Sequence, residues 1–327
     1  MSMTRILGKS GIEVSALGMG CWAIGGPFWN GETPLGWGDV DDEESIRAIH
    51  SALDLGVTFF DTANVYGAGH SERVLARALK GRRGKVVIAT KFNSVFDETT
   101  RQVSGSDCSP AAIRAACDAS LRRLETDHID LYQFHDNGYP ADKAGPVRET
   151  LEELVGQGKI KAYGWSTDFA DRARVFADGR ACASIQLQLN VLDDNPEVLA
   201  VCDKNNLAAI NRGPLAMGLL TGTYTAQTKP AANDVRGKKS PEWMKYFKNG
   251  SPSPEWLGKR DAIREILTSG GRTVAQGAIG WLWARSSRTI PIPGFRTVKQ
   301  VEENAAAMKL GALSPQQMSQ IERILGR

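Results

Sequence analysis

Residues 57–66 read Val57-Thr-Phe-Phe-Asp-Thr-Ala-Asn-Val-Tyr66, an apolar run that stops on a carboxylate. The same shape recurs along the chain. Val86-Val-Ile-Ala-Thr90 ends in Lys91, Ile129 to Phe134 ends in His135, and Ile160 to Trp165 ends in Ser166. Ser184-Ile185 runs into Gln186, and Ala208-Ala-Ile210 runs into Asn211-Arg212. Runs this short and this apolar suit strands of a parallel sheet buried on both faces.

Amphipathic helices with clear punctuation lie between the runs. Ser109-Pro110 reads as N-cap and first helical residue, followed by an apolar stripe of Ile113, Cys117, Leu121 and Leu124. Asn195-Pro196 opens another helix in the same way, and Glu43 to Leu55 is a third, stopped by Gly56. Thr297 with Gln300, and Ser314 with Gln317, fit the capping-box pattern. About eight strand–helix units between residues 15 and 307 predict an α/β fold of the (β/α)₈ TIM-barrel type, with residues 1–327 as one domain. Arg5–Val14, centred on Ser10-Gly11, predicts an N-terminal β-hairpin cap within residues 1–14. Ser314–Leu325 predicts an added C-terminal helix. Residues 223–255 are polar, rich in Lys, Pro and Gly, and without periodicity, which suits either a lid or a disordered loop.

In such a barrel all strand C-termini open on one face, and that face carries the active site. A carboxylate, an amine, an imidazole, a hydroxyl, an amide and a guanidinium would converge there. Each singly has a plainer account, because any strand leaving a core ends in polar residues. The assortment in register points to chemistry.

Composition narrows the partners. The 327 residues are 42% hydrophobic and 24% charged, ordinary for a globular domain, and the net charge of +3 gives no reason to expect nucleic acid or a membrane surface. No apolar run approaches a membrane span and the start has no signal-peptide core. The five cysteines, Cys21, Cys108, Cys117, Cys182 and Cys202, are scattered without a CxxC pair, so reduced thiols in the cytoplasm are expected. None of His50, His70, His128 or His135 has metal-ligand spacing, and no metal is expected.

Two motifs mislead. Gly18-Met-Gly-Cys-Trp-Ala23 matches the GxGxxA dinucleotide fingerprint, but Ile24-Gly-Gly-Pro27 cannot supply the helix that fingerprint needs. Tyr139 and Lys143 have the YxxxK spacing, yet Gly138 and Pro140 predict a loop rather than the helical turn that would bring them together.

Asp61-Thr-Ala-Asn-Val-Tyr66, Lys91 after Ala89-Thr90, and His135 after Asp130-Leu-Tyr-Gln-Phe resemble the catalytic tetrad of the aldo-keto reductases. The resemblance covers nearly the whole chain. It includes Gly8 to Gly20, Gly213-Pro-Leu-Ala-Met-Gly-Leu-Leu-Thr-Gly222, and Ile292-Pro-Gly-Phe-Arg296 through Glu303-Asn304. It implies NADP(H)-dependent interconversion of aldehydes or ketones with alcohols. Tyr66 would be general acid, Lys91 and Asp61 its tuning pair, and His135 the group that orients the substrate.

The chemistry is consistent with those roles. A phenol ionises near pH 10, high for an acid working at neutrality, and a nearby ammonium lowers that value. The resemblance further implies that Ser166 and Gln186 hold the nicotinamide carboxamide, with Gly20, Cys21 and Trp22 near its ribose. Gly213, Pro214, Leu215, Gly218 and Gly222 would follow the pyrophosphate, and Gly294, Phe295, Arg296, Gln300, Glu303 and Asn304 the adenosine end. Arg296, beside the helix that follows Thr297, suits a 2′-phosphate and favours NADP over NAD. Trp22, Phe28 and Trp29 are candidates to wall the substrate pocket over Tyr66 and His135.

Three positions depart from the family pattern. Thr167 stands where many members have Asn at the carboxamide, and Arg212 where many have an aromatic on the nicotinamide; the resemblance still implies that both, with Asp61, are cofactor-binding, Arg212 by stacking on the ring or contacting the phosphates. Asp136-Asn137-Gly138 replaces the commoner Pro-Asp continuation after His135. Two other functions share the fold: a Schiff-base lyase built on Lys91, and a cofactor-sensing regulatory subunit of the kind related chains provide to potassium channels.

Overall fold

The computed structural model describes residues 3–327. Eight parallel strands succeed one another around the sheet in chain order. They are β1 (Gly18–Gly20), β2 (Phe59–Asp61), β3 (Val87–Phe92), β4 (Ile129–Phe134), β5 (Ile160–Ser166), β6 (Cys182–Gln188), β7 (Ala208–Arg212) and β8 (Thr289–Pro291). The ring closes where Gly20 N donates to Pro293 O at 3.0 Å and Gly20 pairs with Gly294. A Cβ on Gly20 would sit 2.8 Å from Ile292 O, so only glycine lets the two ends meet.

Alternation along each strand divides the core in two. Phe59, Ala89, Leu131, Ala162, Ala183, Ala208, Ile210, Ile290 and Ile292 fill the barrel interior. Their neighbours, among them Phe60, Ile88, Phe92, Tyr132, Phe134 and Trp165, pack outward under the helices. The hairpin Thr4–Ile6 with Glu13–Ser15 closes the bottom, and its Leu7 and Val14 plug the interior layer.

The outer layer holds α1 (Asp42–Asp54), α2 (His70–Leu79), α3 (Pro110–Arg123), α4 (Gly145–Gly156), α5 (Ala170–Ala177) and α6 (Pro196–Lys204). It continues with α7 (Pro254–Thr268), α8 (Val274–Arg285), α9 (Val298–Leu310) and α10 (Pro315–Leu325). The side chains of Ser109 and Asn195 cap α3 and α6. Ser314 and Gln317 form a reciprocal capping box on α10. The expected box at Thr297 is only half made: Thr297 caps the Gln300 N–H, but Gln300 Oε1 reaches past it to accept from Arg296 N at 2.7 Å. After Gly20 the chain enters a short 3₁₀ turn, Ala23–Gly25, rather than a helix, and Tyr139 lies outside the turn Ala141–Lys143, edge-on to Phe134.

The aperiodic stretch after residue 222 is ordered and anchored. It ends earlier than its composition suggests, because Pro254 and Glu255 already form the first turn of α7. Phe247–Lys248 pairs with Ser251–Pro252 in a small ribbon, and Val235, Tyr246 and Phe247 are buried. Arg236 holds the stretch together. Its guanidinium pairs with Asp234 at 2.7 Å and lies over the rings of Trp37, Tyr224 and Phe247. A low-exposure cation stacked on three aromatic faces replaces the apolar periodicity that would otherwise mark an ordered segment.

Candidate active site

The polar strand ends meet at the open face of the barrel. Lys91, on β3, is fully buried and spends all three ammonium protons: on Asp61 Oδ1 at 2.5 Å, on Thr62 O at 2.8 Å and on Tyr66 Oη at 3.4 Å. Asp61, ending β2, takes two further donors on Oδ2, Gln133 Nε2 at 2.9 Å and Gln186 Nε2 at 2.8 Å. A buried charge pair persists only when its remaining lone pairs and protons are satisfied, and here both partners are.

Tyr66 sits in the β2–α2 loop, its ring stacked on Trp22 at 5.7 Å and crossed by the His135 ring at 6.0 Å. Burial pushes the phenol above its ordinary value; Lys91 pulls it down, Asp61 up, and Arg212 down. The net direction is upward: Lys91 lowers the phenol as expected, and burial outweighs it. For Lys91, burial disfavours the charge, but Asp61 and Tyr66 outweigh it and hold the amine above its usual range. His135 lies just past β4, its Nδ1 buried with no hydrogen-bond partner among the described residues. Burial first, then the cations Lys91 and Arg212, hold it well below the usual imidazole value, so it is neutral near pH 7.

The other named residues are distributed as follows. Ser166 ends β5, buried, and the Gln186 amide donor is committed to Asp61 and Gln133. Cys21 is fully buried, and burial drives its thiol far above the usual range. Gly213–Gly222 winds through left-handed backbone at Gly213, Ala216, Met217, Gly218 and Gly222. Within it the N–H groups of Ala216 and Gly218 donate to Gly213 O and Leu215 O, both at 2.9 Å, and Leu220 N donates to Leu215 O at 3.1 Å. Phe28 is buried with Ala63 and Val65, behind Trp22 and Tyr66. Trp29 is half-buried and pinned by its backbone N–H to Arg101 O at 3.0 Å. Of the three aromatics proposed for the pocket, Trp22 alone is seen stacked on Tyr66.

At the C-terminal segment, Asn304 and Phe295 are buried, Gln300 and Gly294 exposed. Glu303 O accepts from Gln276. Arg296 donates to Trp37 O at 3.1 Å and to Asp39 O, tying this segment to the β1–α1 loop. The start of α9 already holds an anion, since Val298 N donates to Glu44 Oε1 at 2.9 Å. The helix terminus next to Arg296 is therefore partly satisfied from within, which was not foreseen.

Sequence reasoning passed over three side chains of the site. Gln133 sits inside an apolar run, yet alternation along β4 turns it inward beside Asp61. Trp243 comes from the aperiodic stretch and lies 6.2 Å from the Trp22 ring, about half exposed at 56%. Asp168 is joined to Arg212 by an ion pair. The first was readable from period-2 alternation; the other two depend on long-range contacts.

A closed eight-stranded α/β barrel whose mouth carries a buried Lys–Asp pair against a tyrosine defines a barrel oxidoreductase class. The sequence profile of the Aldo/keto reductase family matches residues 16–325, and this chain belongs to that family. It is 33% identical to the aldo-keto reductase YhdN of Bacillus subtilis over 311 residues, 90% of this chain and 86% of that protein. It is 31% identical to the NADP(+) aldo-keto reductase yakc of Schizosaccharomyces pombe over 318 residues, 94% of this chain and 87% of that one. Among solved structures, the glycerol dehydrogenase AKR11B4 from Gluconobacter oxydans superimposes with TM-score 0.81 at 31% identity, covering 100% of this chain and 95% of that one. An aldo-keto reductase from Klebsiella pneumoniae in complex with NADPH gives TM-score 0.71 at 25% identity, covering 99% and 95%.

Proposed function

We propose that this chain interconverts aldehydes or ketones with alcohols using NADP(H), with Tyr66 as the acid and base. The observation that carries this reading is the Asp61–Lys91–Tyr66 contact series beside a neutral His135. NADP is supported by the yakc relative and by the Klebsiella complex with NADPH. When bound, the nicotinamide supplies or accepts the hydride.

The chain's own residues do the rest. Tyr66 keeps its proton through neutral pH and donates it from Oη to the substrate oxygen as negative charge develops there. Lys91 stays charged beside Oη and stabilises the phenolate left behind. Asp61 fixes Lys91 while Gln133 and Gln186 fix Asp61. The neutral His135 ring offers a single N–H to the substrate oxygen, and its neutrality avoids a second buried cation beside Lys91.

The residues present fit the cofactor. Ser166 with the carbonyl oxygen of Gln186 suits a carboxamide, and Gly213–Gly222 is the segment that the family resemblance lays along the pyrophosphate. Arg296 remains the candidate for a 2′-phosphate. Arg296→Ala is expected to raise the KM for NADPH about tenfold or more with little change for NADH, the loss of one charged phosphate contact. Equal effects on both would remove Arg296 from that role.

The 223–253 stretch packs on the β1–α1 loop through Val235 N to Gly36 O at 2.7 Å and through Trp243 near Trp22. NADPH is expected to slow proteolytic cleavage within it; unchanged cleavage rates would exclude a lid role. A Schiff-base role for Lys91 is disfavoured, because such a lysine attacks as the neutral amine and this one is held charged. The reading as a whole is tested by screening NADPH oxidation with aldehydes, ketones, sugars and pyridoxal, repeated with NADH. Absence of turnover with every carbonyl despite NADPH binding would favour the regulatory-subunit function.

A further inference from the structure

The three departures from the family pattern are not independent in the fold. They meet on Asp168, the residue after Thr167. Asp168 N donates to Asn137 Oδ1 at 2.7 Å, and Asn137 Nδ2 donates back to Asp168 Oδ2 at 3.2 Å. Thr167 Oγ1 donates to Asn137 O at 3.4 Å. Arg212 Nη2 donates to Asp168 Oδ2, and Arg212 Nη1 to Gln188 Oε1 at 3.3 Å. Asp168 Oδ1 accepts from Gln188 N at 2.6 Å. One carboxylate thus joins the ends of β4, β5, β6 and β7.

An aromatic ring at position 212 would be flat and stiff by itself. A guanidinium is also flat, but it rides on a long flexible stem and needs a partner to hold its plane. Asp168 is the partner present, and the Gln188 N–H and the Asn137 amide hold that carboxylate in turn. The pair is partly open to solvent, with 31% of the Arg212 side chain and 25% of the Asp168 side chain exposed, so its stabilisation of the fold is small. Its larger consequence is orientation.

We propose that Asp168 is a positioning residue that aims Arg212 at the bound cofactor and couples that aim, through Asn137, to the loop behind His135. Thr167, Arg212 and Asn137 then form one unit in which each departure makes the next workable. This rests on the reading of Arg212 as a cofactor-binding residue. It concerns the approach of NADPH rather than the proton transfer, which the Asp61–Lys91–Tyr66 series performs without Asp168.

The test compares Asp168→Asn, Arg212→Met and the double variant by NADPH titration, read as quenching of tryptophan fluorescence. Asp168→Asn preserves shape and an acceptor for Gln188 N while removing the charge. It is expected to raise the NADPH Kd about tenfold, the loss of one charge-assisted hydrogen bond. In the Arg212→Met background the same change is expected to add nothing, because Asp168 acts through Arg212. Additive losses, which general loosening of the mouth would produce, overturn the proposal. So does an unchanged Kd in Asp168→Asn when Arg212→Met binds weakly. An unchanged Kd in Arg212→Met itself would instead overturn the underlying reading of Arg212.

Discussion

Tyr66→Phe is expected to lose about 10²–10⁴-fold in kcat for carbonyl reduction, the range a positioned general acid contributes, while NADPH binding persists. The geometry separates the two effects. The phenol oxygen has a single hydrogen bond among the described residues, to Lys91 Nζ at 3.4 Å, the longest of the three that lysine makes. Removing it leaves Lys91 held by Asp61 and Thr62 O. The phenylalanine ring keeps the stack on Trp22 and the contact with His135, so the pocket wall survives. Steady-state turnover alongside NADPH titration measures both. Near-normal turnover would remove Tyr66 from the acid role.

The second large effect is expected from Lys91→Met, in activity, pH dependence and stability together. Burial and Asp61 push the Tyr66 phenol up, whereas Lys91 and Arg212 pull it down, and the net shift is upward. In the native chain the acid form therefore prevails through neutral pH, and reduction falls only on the alkaline side as the phenol ionises. Deleting Lys91 removes the larger of the two downward pulls. The alkaline limb should move to higher pH and kcat should fall about 10²-fold or more, because the conjugate phenolate is no longer stabilised. Asp61 would keep Gln133 and Gln186 but no cation, and breaking a buried pair in this way costs about 3–5 kcal/mol. A pH–rate profile and a urea melt read these effects. An unmoved alkaline limb would show that Lys91 does not tune Tyr66.

Much of this site was legible in the order of residues, for a physical reason. Parallel strands buried on both faces must be apolar, so the first polar residue marks where each strand leaves the core, and barrel closure brings those marks to one face. Asp61, Ser166 and Arg212 end their strands as this reading expects, whereas Lys91 and Gln186 lie one and two residues inside the ends of β3 and β6, buried with their neighbours. Where a side chain points after leaving the strand was not legible. Gln186 reaches Asp61 across 125 residues, and Arg296 reaches Trp37 across 259. No local periodicity encodes such contacts. The balance at Tyr66 was not legible for the same reason: the ammonium was visible in the sequence, but the degree of burial that outweighs it is a property of the closed barrel. The ordered 223–253 stretch was obscure because Arg236 on three aromatic faces anchors it, a device with no repeat.

The central claim is that Tyr66 and its neighbours serve carbonyl reduction by NADPH. It is tested most directly by following deuterium from NADPH labelled at the reactive nicotinamide carbon, with a simple aldehyde as acceptor. The account predicts label in the carbinol position of the alcohol, one alcohol formed per NADPH consumed, and loss of both in Tyr66→Phe. NADPH bound by the native chain with no label transferred to any carbonyl would contradict it.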